Sequence, residues 1–192
     1  MKNTIFFDFF GVISSEVANA FFAKRFSENK AKELKDSIFV KADEGIYDEE
    51  KVYQLMSELT HENKEDIRKE WVDTVKINFE LVNYIKELKK THKVYLLSNA
   101  ISSYLRNILS KYNLEECFDK IYISAEIHLI KPNANFFSYV TNDLGLNPKE
   151  CIMIDDSQKN INGAESIGIK GIVYQNLEDL KSKIKEIEEW KY

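Results

Sequence analysis

Three apolar runs in this chain each end on side chains able to do chemistry. Asp8 closes the run that begins at Thr4 and leads into Phe9-Phe10-Gly11-Val12; Ser98-Asn99 follow residues 93–97; Asp155-Asp156-Ser157 follow residues 151–154. A fourth feature, Lys131-Pro132, stands just ahead of a helical pattern at 133–144. A carboxylate such as Asp8 can act as a nucleophile that splits a difficult hydrolysis into two steps. Phosphoryl transfer asks for such an in-line nucleophile, a divalent cation and donors that neutralise the equatorial oxygens. Ser98, Asn99 and Lys131 are donors of that kind, and carboxylates supply the hard oxygen ligands that Mg²⁺ prefers. Each piece alone has a plainer use. An Asp or a Ser-Asn pair at a strand end often starts a turn, an acidic pair suits a helix N-terminus, and a lysine can simply be a surface charge.

The elements that would bring these residues together follow from hydrophobic periodicity. Residues 4–8, 93–97, 120–123, 151–154 and 171–174 are short β-branched and aromatic runs, the pattern of strands buried on both faces. Ile101, Tyr104, Leu105, Ile108, Leu109 and Tyr112 recur at helical spacing and predict an amphipathic helix. Phe136, Phe137, Val140 and Leu144 predict a second, residues 158–167 a third, and Leu177, Leu180, Ile184 and Ile187 a charged C-terminal one. Strand and helix alternate, which predicts an α/β fold with a Rossmann-like, doubly wound parallel sheet. In such a sheet the ligand crevice lies at the carboxyl ends of the strands, and Asp8, Ser98, Asn99, Asp155 and Asp156 all fall there. The stretch from about 15 to 78 breaks the alternation, being helical in pattern throughout. It reads as an inserted helical cap (15–78), with 1–14 and 79–192 forming the core; Asp48 and Thr60 are the expected helix starts within it.

Composition narrows the function classes. Lys and Arg number 27 against 32 Asp and Glu, a net charge of −5 with the signs interspersed, so no broad positive field exists to hold nucleic acid. Six Gly and two Pro exclude collagen-like and turn-dense designs. Cys117 and Cys151 lack metal or disulfide spacing and are expected as buried thiols in a reducing compartment; His61, His92 and His128 show no ligand spacing either. Asp8 interrupts the first apolar run, no small-residue cleavage site follows it, and no run is long enough to span a bilayer. The expectation is a cytoplasmic protein, a monomer by default.

Taken together, Asp8-x-Phe10-Gly11-Val12, Leu96-Leu97-Ser98-Asn99, Lys131-Pro132 and Ile154-Asp155-Asp156-Ser157-x-x-Asn160 resemble the four motifs of the haloacid dehalogenase-like hydrolase superfamily, in order and at the right spacing. The segment Asp43-Glu44-Gly45-Ile46 followed by Asp48-Glu49-Glu50 is similar to a cap segment of its sugar-phosphatase-like members. The resemblance implies a Mg²⁺-dependent phosphatase acting on a small phosphorylated metabolite, a sugar phosphate as first guess. It implies that Asp8 is the nucleophile and that Mg²⁺ is held by Asp8, the Phe10 carbonyl and the acidic pair, with Asp156 the direct ligand and Asp155 its neighbour. Ser98, the Asn99 amide and Gly11 would lie around the phosphoryl group, Lys131 would balance the charge of carboxylates and phosphate, and Asn160 would orient the site.

One position departs from that pattern. Phosphatases of the superfamily usually carry a second Asp two residues after the nucleophile as general acid and base, and here Phe10 stands there. A positioned acid or base contributes about 10²–10⁴-fold, so turnover should be slow unless a cap residue such as Glu16 or Glu44 reaches in. Two other readings stay open at this stage. An aromatic at this position also occurs in metal-free 2-haloacid dehalogenases, although their fourth motif begins with serines rather than with an acidic pair. A non-catalytic member that only binds a phosphometabolite would keep the site and lack the acid.

Overall fold

The structure, a computed structural model, describes residues 4–189. Five strands, β1 (Thr4–Phe7), β2 (Lys93–Ser98), β3 (Lys120–Ile123), β4 (Cys151–Asp155) and β5 (Lys170–Val173), form one sheet in the order β3-β2-β1-β4-β5. All four pairings are parallel, as the alternation of strand and helix predicts. Side chains alternate across the sheet. Ile5, Phe7, Leu96, Ile152 and Ile154 enter one core layer, while Phe6, Tyr95, Leu97 and Met153 enter the other. With both layers covered, every strand is apolar on both faces.

Topology decides where the crevice opens. From central β1 the chain runs outward through β2 to β3, then crosses to β4 on the other side of β1, so the winding reverses between β1 and β4. Phe7 is level with both Leu96 and Ile154, which brings the ends of β1, β2 and β4, and with them Asp8, Ser98 and Asp155, to one edge. The helices α5 (Phe79–Lys89), α6 (Ser102–Lys111), α7 (Ser124–Ile127), α8 (Ala134–Asp143), α9 (Gln158–Glu165) and α10 (Leu177–Glu189) connect and flank the strands.

Between β1 and α5 the chain forms four consecutive helices: α1 (Val17–Ala23), α2 (Glu28–Asp43), α3 (Glu49–Thr60) and α4 (Lys64–Thr74). They pack in a ring, α1 on α2 and α4, and α3 on α2 and α4. An aromatic centre of Phe21, Phe22, Phe39, Tyr53 and Trp71 fills it. The two ends of this insert lie side by side. Ser15 N donates to the Lys76 carbonyl at 3.0 Å, Asn78 N to the Ile13 carbonyl at 2.9 Å, and the Ser15 hydroxyl to the Thr74 carbonyl at 2.9 Å.

Asp48 caps α3 as expected, accepting from Lys51 N at 2.8 Å. Thr60 does not start a helix. It ends α3, its hydroxyl bonding back to the Met56 carbonyl at 2.9 Å, and Asn63 caps α4 instead by accepting from Glu65 N at 2.8 Å. The Thr60 oxygen also accepts from Glu62 N at 3.3 Å, which commits the side chain to the turn after α3 rather than to the start of α4. No described helix is long and apolar enough to cross a membrane.

Candidate active site

Asp8 follows β1 directly, held by its own N–H on the Ile154 carbonyl at 2.9 Å. One carboxylate oxygen, Oδ1, accepts from Phe9 N at 2.7 Å and meets the Lys131 ammonium at 2.8 Å; Oδ2 has no bonded partner among the described residues. Lys131 comes from the loop ahead of α8 and is 2% exposed, so its charge is spent on what it touches. Besides Asp8 it reaches Asp155 Oδ2 at 2.6 Å. Asp155 is saturated: Oδ1 accepts from Ser157 N at 2.9 Å, and the Asn160 amide bonds both oxygens at 3.0 and 3.1 Å. The Lys131 backbone is clamped by Asn99, whose amide donates to the Lys131 carbonyl at 2.8 Å and accepts from its N–H at 2.9 Å.

Three carboxylates thus share one lysine. Oxygens of Asp8, Asp155 and Asp156 lie within 4.8 Å of one another. Burial pushes the Asp8 carboxyl well above the usual carboxylate range, with Lys131 opposing. Asp156, which pairs with no cation among the described residues, is pushed up to about 6, chiefly by burial and then by the negative charges of Asp155 and Glu16. On Lys131 burial alone would favour the neutral amine, but Asp8 and Asp155 outweigh it and hold the ammonium above the ordinary lysine value. Such a cluster is electrostatically short of positive charge, and an all-oxygen donor set fits a hard divalent cation. The Phe10 carbonyl accepts no backbone hydrogen bond among the described residues. The backbone leaves room for this arrangement at Gly11: a Cβ there would lie 2.2 Å from Asp156 Oδ2, and φ is +83°.

Above these groups lies a cavity of about 390 Å³, of a size to hold a small metabolite. Its floor, at the strand ends, is Asp8, Asn99, Lys131 and Asp156, and the insert contributes a wall of Glu16, Asn19, Lys35, Asp43 and Trp71. Glu16 and Lys35 pair at 3.3 Å. Rings close the remaining side: Phe10 stacks on Tyr104 at 6.1 Å between centroids, and Phe39 on Trp71 at 5.2 Å. The buried Trp71 indole N–H has no partner among the described residues.

Most of the residues singled out from sequence converge, with three different outcomes. Asp8, Phe10, Asn99, Lys131, Asp156 and Asn160 line the cavity, whereas Asp155 sits beneath it and positions Lys131. Ser98 is fully buried at the end of β2 and does not line the cavity. The Gly11 N–H is taken by the Ser14 carbonyl at 2.7 Å, so Gly11 contributes space for Asp156 rather than a donor. Of the two insert carboxylates suggested by sequence, Glu16 lines the cavity and Glu44 does not; its neighbour Asp43 does. Lys35 and Trp71 are not singled out from sequence, Asp43 stands out only as part of the cap segment and Tyr104 only as part of an apolar stripe, because they belong to helices whose periodicity marks only which face is apolar. None of His61, His92 or His128 lines the cavity.

Residues 5–174 match the family model described as haloacid dehalogenase-like hydrolase. The chain belongs to that family. Among curated relatives, D-ribitol-5-phosphate phosphatase from Bacteroides thetaiotaomicron is 24% identical over 96% of this chain and 97% of its own length. Drimenol cyclase from Aspergillus calidoustus is 21% identical over 80% of this chain, which spans only 30% of that protein. A family enzyme from Bacteroides thetaiotaomicron, solved with magnesium and inorganic phosphate, superposes with a TM-score of 0.76 at 25% identity, covering 91% of this chain and 95% of the other. The family assignment makes the chain a hydrolase, on the phosphatase branch of the haloacid dehalogenase-like family.

Proposed function

We propose that this family member is a Mg²⁺-dependent phosphatase of small phosphorylated metabolites, working through an aspartyl-phosphate at Asp8. The observation that carries this reading is the charge arrangement: Lys131 is used up by Asp8 and Asp155 at 2.8 and 2.6 Å, and Asp156 is left without a cation. Asp8, the Phe10 carbonyl and Asp156 would hold Mg²⁺, which when bound offsets charge on the phosphoryl oxygens. The free Oδ2 of Asp8 is the attacking atom, because Oδ1 is held by Phe9 N–H and Lys131. Lys131 opposes the burial that raises the Asp8 proton affinity and places positive charge beside the phosphoryl group. Asn99 holds the Lys131 backbone in place, and Asp155 with Asn160 fixes the direction of its ammonium. Residues 15–78 act as the cap, covering the cavity and excluding water.

A sugar or polyol phosphate suits the polar part of the insert wall, and the ribitol-5-phosphate phosphatase relative supports that substrate class. The acidic pair weighs against the metal-free dehalogenase reading, in which Asp156 beside Asp8 would stay uncompensated. A screen of phosphorylated metabolites and 4-nitrophenyl phosphate, with Mg²⁺ and after chelation, tests the proposal alongside Asp8→Asn. Mg²⁺-dependent phosphate release that Asp8→Asn abolishes is expected; equal release by the two proteins would end the nucleophile assignment.

A further inference from the structure

Hydrolysis through an aspartyl-phosphate needs a proton delivered to the leaving oxygen and later one taken from water. The phenyl ring of Phe10 can do neither. Displacement at phosphorus is in line, so the leaving oxygen departs on the side away from Asp8, and the water of the second step enters from that same side. A single group opposite Asp8 can therefore serve both steps. Asp8 comes from the strand-end side of the cavity, and the carboxylates that share the cavity with it from the insert are Glu16 and Asp43.

We propose that Asp43, the last residue of α2, is the general acid and base of this reaction; the inference rests on the phosphatase reading above. Asp43 lines the same cavity as Asp8 and Lys131, half-buried, and its side chain makes no hydrogen bond or ion pair among the described residues. The other carboxylate on that wall, Glu16, is neutralised by Lys35 at 3.3 Å. Asp43 is also held in place by the backbone next to it. The Glu44 carbonyl meets Nδ1 of His128 at 2.8 Å, and Gly45, at φ +76°, comes so close to α7 that a Cβ would lie 2.5 Å from the Ala125 carbonyl. This contact fastens the C-terminal end of α2 to the sheet-bearing part of the molecule.

The surroundings give Asp43 a proton affinity suited to both steps. Burial is the main influence and raises it; Lys35 on its own helix and Lys131 on the floor lower it; Glu16 and Glu44 raise it; the balance lies at about 7. In the first step Asp8 Oδ2 forms a bond to phosphorus, the ester P–O bond breaks, and the leaving oxygen takes the Asp43 proton. In the second, water bonds to phosphorus and gives a proton to the Asp43 carboxylate, the Asp8–phosphorus bond breaks and phosphate departs. Asp43 ends protonated, as it began.

The test compares Asp43→Asn with wild type in Mg²⁺, on an alkyl phosphate and on 4-nitrophenyl phosphate. On the alkyl ester kcat should fall about 10²–10³-fold with KM changed little, and the decline of kcat/KM above about pH 7 should vanish. On 4-nitrophenyl phosphate, whose leaving group needs no acid, the variant should release one equivalent of nitrophenolate in a burst and then stall as phosphoenzyme. Asp43→Ser should behave alike, which separates loss of the carboxyl from a packing effect. Wild-type turnover with the pH limb intact overturns the proposal, as does an equal loss on both esters without a burst. If wild type shows no Asp8-dependent phosphate release at all, the phosphatase reading fails and takes this inference with it; Asp8→Asn distinguishes that case from failure of Asp43 alone.

Discussion

The floor of the cavity and the wall facing it are built on opposite plans. On the floor Lys131 bonds Asp8 at 2.8 Å and Asp155 at 2.6 Å, Asn99 clamps the Lys131 backbone and Asn160 holds Asp155, which leaves Asp8 Oδ2 and Asp156 open toward the cavity. On the insert wall only Glu16 and Lys35 are paired, at 3.3 Å, while Asp43 and the Trp71 indole N–H are unmatched. A nucleophile and its counter-charge must be fixed before substrate arrives, because electrostatic preorganisation works only if it need not be rebuilt during reaction. Groups that meet a variable leaving group, or that must lose and regain a proton, cannot be locked in permanent hydrogen bonds. Rigid floor and uncommitted wall therefore divide the work.

Substitutions can break this contrast, beginning with the floor. Asp8→Asn should lower turnover by about 10⁴-fold or more, measured as steady-state phosphate release. Asp156→Asn should raise the Mg²⁺ concentration for half-maximal rate by about 10–100-fold, read from magnesium titration of activity. Gly11→Ala forces a side chain to within 2.2 Å of Asp156 Oδ2 at φ +83° and should cost about 1–3 kcal/mol of stability by denaturant unfolding, with weaker metal binding alongside. Effects should be smaller on the wall. His128→Ala removes the tie to Glu44 and should reduce kcat several-fold while leaving Mg²⁺ affinity unchanged. The gentlest test is electrostatic. Lys35 lowers the Asp43 proton affinity and Glu16 raises it, so Lys35→Gln should move the alkaline limb of kcat/KM upward from about 7 and Glu16→Gln should move it downward, by a few tenths of a pH unit. Shifts in the same direction would show that another group carries the limb.

Much of the floor could be read along the chain, since strand ends in a doubly wound sheet fall on one edge and Asp8, Asn99, Asp155 and Asp156 each end or follow a strand. Lys131 was legible as well, from its place ahead of a helix. The division of labour inside the acidic pair was not. Asp155 turns inward to Lys131 and Asp156 toward the cavity, because adjacent residues of a strand end face opposite ways. Gly11 shows the same gap: its presence behind the nucleophile was plain, but the side chain it makes room for, Asp156, is far away in sequence.

The wall was the part least legible. Glu44 and Asp43 are neighbours on one helix end, and periodicity cannot say which of them faces a ligand; the docking of Gly45 and Glu44 against α7 settles it. By itself, the sequence determined the alternation of strand and helix, the helical insert, and the set of oxygen and nitrogen donors at the strand ends, since these depend on local periodicity and on one topological rule. Tertiary structure alone decided which donors are already satisfied and which are not. That depends on contacts between segments up to about 150 residues apart, such as Asp8 with Asp155 and Lys131 with both, and no local pattern records them.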